Sequence, residues 1–322
     1  MNVLRLFKNL HARIRRYREN KKQKQREECA ANQLEKLRSQ PLTQESGEWI
    51  KHLLKNHGPP SKELLRHARK WCRRRFPDSA QTPFIVGKWL QHKPSNEAVY
   101  LAERYLQSIT DPMTLNEIIR GAGSHPRRCR RLFKSIEILL ERYPSGPWDQ
   151  LQAFNVTSKR VDKLILRWLE LNRSNPACAL DVSMVAITSE SYVVLKAILN
   201  WMTESGANDD RYAWHTYNNL TYGETEARTK LMPETLSACR SWILTHPLAH
   251  GAGYIVGRVI RRTCSEDDVR LGLNWYYANR DAEEASSALA AILSCARKAN
   301  VELDATILSE AKGIIRDHEQ DG

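Results

Sequence analysis

The sequence predicts an all-α chain of about eight helical hairpins, and three observations carry that prediction. The first is an internal repeat. PFIVGKWL (83–90) matches GYIVGRVI (253–260) in character along its length, with Phe84 opposite Tyr254, Gly87 opposite Gly257 and Lys88 opposite Arg258. The second is a longer register, a column of large residues at Trp71, Tyr105, Leu139, Trp168, Trp201, Trp242, Trp275 and Ile314, spaced 34, 34, 29, 33, 41, 33 and 39 residues apart. An apolar residue follows each of them (Cys72, Leu106, Leu140, Leu169, Met202, Ile243, Tyr276, Ile315), and a small or apolar residue stands three before (Ala68, Ala102, Ile136, Ile165, Ile198, Cys239, Gly272, Ala311). Positions −3, 0 and +1 share one face of a helix, so each anchor marks a buried stripe. The third is punctuation: Asp78, Pro94, Pro112, Pro144, Pro176, Gly206 and Pro247 fall where turns are needed.

Taken in order, residues 1–40 read as a basic amphipathic arm. Val3, Phe7, Leu10, Ile14 and Tyr17 form one stripe, Arg13, Arg15 and Arg16 lie among them, and no acid precedes Glu19. An arm packed on its own body or a partner, an organellar transit peptide and a membrane-surface helix all fit that pattern. The lack of serine before Ser39 favours the arm. Residues 41–322 then read as the repeat body, with anchor helices alternating with second helices. TPFIVGKWLQHK, ACALDVSMVAITSE, GAGYIVGRVIRRT and EEASSALAAILSCARKA are the clearest of the latter. Small residues at Gly87, Gly257 and Ala290 mark expected close approaches between helix backbones.

This periodicity resembles the α-solenoid superfamily, HEAT-like with some tetratricopeptide-like spacing, over about residues 45–317. The resemblance is one of period and pattern. It implies a right-handed superhelix of stacked hairpins whose extended concave face binds a long partner. The tryptophan column is then core, leaving Trp148 and Trp214 as candidates for exposed aromatics.

The net charge of +13 is distributed unevenly. Residues 1–40 hold 12 Lys/Arg against 4 Asp/Glu, residues 41–140 hold 18 against 9, and residues 201–322 hold 13 against 18. A phosphate-bearing partner, nucleic acid or nucleoprotein, is therefore expected at the basic half (41–140), with a protein partner at the acidic half (201–322). Two clusters stand out. In RHARKWCRRRF the stripe claims Ala68, Trp71 and Cys72, sending Arg69, Lys70, Arg73 and Arg74 to solvent, where Arg69 with Arg73 and Lys70 with Arg74 are like-charge pairs one turn apart. RRCRRLFK offers Arg127, Arg128, Arg130, Arg131 and Lys134 in the same way. A protein–protein scaffold without nucleic-acid contact remains the rival, with a HEAT-like DNA glycosylase using Trp148 and Asp149 as a third class.

Catalytic patterns are absent. HGAGYIVG (250–257) misses the dinucleotide fingerprint by one residue and has no Walker lysine, so it reads as a helix start. HPLAH puts His246 and His250 four apart, but Pro247 makes it a turn. The acids at 209–210 and 266–268 suit helix N-termini. Seven scattered cysteines, none in C-x-x-C, imply unpaired thiols in a reducing compartment and no structural zinc. No cofactor, no metal and no membrane span are expected. The location implied is cytoplasmic, nuclear or nucleoid-associated.

Overall fold

The computed structural model of the chain describes residues 24–25, 28–40, 42–56, 60–75, 79–108, 115–125, 127–146, 159–204 and 212–310. Among these residues there is helix and no strand. No helix among them is long and apolar enough to cross a membrane. The body expected over 41–322 divides into two compact units, residues 1–156 and 157–322.

The first unit contains α1 (28–39), α2 (Gln44–Asn56), α3 (Lys62–Arg75), α4 (Thr82–His92), α5 (Asn96–Ser108), α6 (Asn116–Ser124) and α7 (Leu132–Arg142). Helix α2 packs on α3, α3 on α4 and α4 on α5, and helices also pack on the neighbour after next: α2 on α4, α4 on α6, α5 on α7. Helix α4 starts on Pro83, whose fixed φ suits a first helical turn. It crosses α6 so closely that a Cβ on Gly87 would lie 2.2 Å from the Glu117 carbonyl oxygen, and one on Gly121 the same distance from that of Gly87. Helix α1 falls within the residues assigned to the arm; there Leu37 is fully buried and Arg38 pairs with Glu63 of α3 at 2.8 Å. The stripe from Val3 to Tyr17 lies outside the described residues, as does Trp148.

The second unit holds α8 (Lys159–Leu171), α9 (Ala179–Thr188), α10 (Tyr192–Glu204), α11 (Ala213–Leu220), α12 (Glu226–Thr245), α13 (Ala252–Thr263), α14 (Glu266–Ala278) and α15 (Ala285–Cys295). Here too α8 packs on α10, α10 on α12, α9 on α11, α11 on α13 and α13 on α15. The acids at 266–268 do open α14. Ser265 is its N-cap, accepting the Asp268 N–H, and Asp268 is gripped by both arms of Arg240 at 2.7 and 2.8 Å.

The anchor column is core. Trp71, Leu139, Trp168, Trp201, Trp242 and Trp275 are buried, as are their −3 and +1 neighbours. Three indoles donate to a carbonyl 28 or 29 residues earlier: Trp71 to Thr43, Trp201 to Asn172 and Trp275 to Pro247. Each acceptor lies in the linker that leaves an earlier helix, so the anchor satisfies its polar tip by tying its own helix to that linker. Tyr105 is half-buried instead, while Ala102 and Leu106 beside it are fully enclosed. Ile314 lies outside the described residues. Gly257 behaves as expected, with a Cβ there 3.0 Å from the Ser287 oxygen of α15. Ala290 does not, because it is exposed, and α15 turns Ala288 and Ala291 inward. The expectation of unpaired thiols is also corrected: Cys264, closing α13, is bonded to Cys295, ending α15. Sequence spacing could not reveal that pair, since the packing of α13 on α15 brings together residues 31 apart.

Candidate nucleic-acid interface

Both arginine clusters belong to the first unit, and α5 lies between them. Glu97 near its start pairs with Arg69 and Arg73 of α3, and Glu103 pairs with Arg131 at 3.2 Å, just before α7. These acids, six positions apart, face about 120° from each other around the α5 axis. The arc between them carries Tyr100, Arg104 and Gln107, all exposed. Basic residues thus flank one exposed helix face on both sides.

The sequence expectation of bare like-charge pairs holds only in part. Arg69 and Arg73 share the Glu97 carboxylate, which offsets their repulsion, although at this exposure such pairs contribute only about 0.2–1 kcal/mol. Lys70 and Arg74 are exposed and have no side-chain hydrogen bond or ion pair among the described residues. The same holds for Arg127, Arg128, Arg130 and Lys134. Residues 127–131 form a turn, not a helix, so helical pairing of Arg127 with Arg131 does not apply. The turn is held by Cys129, whose N–H donates to His125 and whose side chain is fully buried. Its four arginines are thereby left on the outside. Arg13, Arg15 and Arg16, together with Trp148 and Asp149, lie outside the described residues.

The second unit uses its arginines differently. Arg228, buried at 4 % exposure, donates to the carbonyls of Ala186, Ile187 and Ser189 at the end of α9 and of Asn219 on α11. Arg262 serves Thr221 and Gly223, Arg261 serves Ser287, and Arg258 reaches Asn218. Arg240, Arg270 and Arg280 meet Asp268, Glu266 and Glu310. The arginines of α12 to α14 therefore cap helix ends, satisfy carboxylates or, at Arg258, reach a side-chain amide.

The glycine stretch at 250–257 starts a helix. Gly251 stands at φ +82°, with Trp214 packed where a Cβ would go. Its N–H donates to Glu284 at 2.8 Å, so a carboxylate of the chain itself occupies the position an anion would take at the α13 N-terminus. Trp214 is half-buried, stacked on His215 at 3.7 Å between centroids. Burial pulls the His215 pKa below its ordinary value, helped by nearby His250. His250 lies in a turn as expected, but its neighbours were not legible: its Nδ1 is 3.2 Å from Glu284, and Glu283 brings the three ligand atoms within 4.8 Å of one another. Residues 33 and 34 apart in separate turns leave no spacing signal.

No family model fits the chain, and no curated protein is significantly similar to it.

Proposed function

We propose that the protein is a non-enzymatic helical-repeat binding protein, a right-handed α-solenoid, whose first unit grips the phosphate backbone of a nucleic acid or nucleoprotein. One contrast carries this reading. Around α5, six exposed cations, Lys70, Arg74, Arg127, Arg128, Arg130 and Lys134, have no carboxylate or carbonyl partner among the described residues, whereas the arginines of α12 to α14 do. Clustered like charges repel at a few tenths of a kcal/mol per pair, and a polyanion relieves that repulsion while releasing its own counterions. The first unit carries 31 Lys/Arg against 15 Asp/Glu, the second 19 against 22.

The test is a binding titration over a salt series. Lys70→Glu/Arg74→Glu weakens binding to every sequence and flattens the salt slope by about one unit per lost contact. The control is Arg297→Glu/Lys298→Glu, an exposed pair in the second unit with no side-chain partner among the described residues. Equal losses from both doubles, or no wild-type binding at low salt, reject the reading.

A scaffold role is the second reading, and α9 favours it. Leu180, Met184 and Ile187 stand at 41, 42 and 46 % exposure on one stripe, an apolar surface suited to a protein partner of the second unit. Polyglutamate competing as well as polyphosphate for the first unit would extend that role to the basic face.

A further inference from the structure

Between α5 and α7 the first unit opens a groove of about 440 Å³. Its rim carries Arg131, Lys134 and Arg142, with Glu103 countering the first of them. Its floor is apolar: Leu106 and Leu139 are each 2 % exposed, and Ile138 presents 52 % of its surface. The acids of α7, Glu137 and Glu141, lie outside the lining. One turn before Glu103 and Arg104, Tyr100 stands 51 % exposed, with the Arg104 guanidinium 6.0 Å from its ring centroid.

A surface evolved only to count phosphates has no use for an apolar floor among its cations. A duplex cannot reach such a floor, because its bases are paired and stacked inside and present only their edges. An unpaired nucleotide can: its base face takes apolar contact while its phosphates meet the rim. Ring and guanidinium at Tyr100 and Arg104 offer a second stacking platform on the same helix. We infer that the nucleic acid gripped by this face is single-stranded, with one base seated against Ile138 in the groove between α5 and α7 and a neighbouring base stacked on Tyr100. This rests on the nucleic-acid reading above.

Ile138→Lys separates base contact from charge. It adds a cation at an exposed position, so a purely electrostatic face would bind every polyanion more tightly. The probes are a labelled thymidine oligomer of about 15 nucleotides, a duplex of the same length and an abasic strand, compared by fluorescence anisotropy at one salt concentration. Wild type is expected to bind the oligomer about tenfold more tightly than the other two. Ile138→Lys and Tyr100→Ala are each expected to lower that preference severalfold, with Ile138→Lys leaving duplex and abasic binding at or above wild type. Equal wild-type affinity for oligomer and duplex overturns the inference and leaves the backbone reading standing, as does tighter oligomer binding by Ile138→Lys. Failure of all three probes to bind wild type overturns both.

Discussion

His67 sits on α3 at 8 % exposure, with neither ring nitrogen hydrogen-bonded among the described residues. Burial lowers its pKa from 6.5; Glu63, 3.9 Å away, pulls the other way, while Arg66 and Lys70 add to the lowering. A histidine whose folded pKa is depressed binds its proton more readily when unfolded. Its stabilising effect is therefore present above the unfolded value and lost as pH falls below it. The thermal midpoint is expected to drop between about pH 7.5 and about pH 5.5, and His67→Leu should flatten that slope; an unchanged slope in the variant would count against this assignment. Charge partners explain what the sequence hid at this scale. The spacing of Arg69 and Arg73 was legible on one helix, but Glu97 is 24 residues from Arg73, and only the packed fold brings it there.

At the scale of the helix, the −3, 0 and +1 periodicity was legible because burial selects residues by face, and six anchors from Trp71 to Trp275 are enclosed as that rule requires. Trp201→Ala removes both a filled volume and the tie to Asn172, and is expected to cost about 3–5 kcal/mol in a denaturant melt. Gly87→Ala tests the repeat pair directly. Its methyl would meet the Glu117 backbone at 2.2 Å, so about 1–3 kcal/mol of overpacking is expected, against a smaller loss for Gly257→Ala, where the neighbour lies 3.0 Å away. Gly121, the other half of the α4–α6 crossing, gave no sequence signal because α6 has no match in the repeated octapeptide. The bond between Cys264 and Cys295 closes a loop of 31 residues, for which the chain-entropy estimate is about 3–4 kcal/mol. Reductant should lower the thermal midpoint of wild type and leave that of Cys264→Ser/Cys295→Ser unmoved.

Over the whole molecule, the charge asymmetry read from the sequence falls close to a structural boundary, since the chain divides between Val156 and Thr157. Composition could locate the basic half but could not say which cations were already spoken for. That depends on helix ends meeting guanidinium groups across long separations, as Arg228 meets Ala186 at 42 residues. Cations that lack such partners are the ones a bound polyanion should meet, and the amides beside them are the ones it should protect. Hydrogen exchange with and without a saturating thymidine oligomer is expected to show slowed exchange at the turn of Arg127 to Arg131 and along α5 and the end of α3. Amides of α12 to α15 should be unchanged, because the arginines there are held by their own carbonyls and acids. The Gly251 N–H gives an internal check. Bonded to buried Glu284, it is expected to exchange at the same rate in both states, and protection there on adding the oligomer would mean that the ligand displaces the carboxylate and that the second unit, not the first, receives the phosphate.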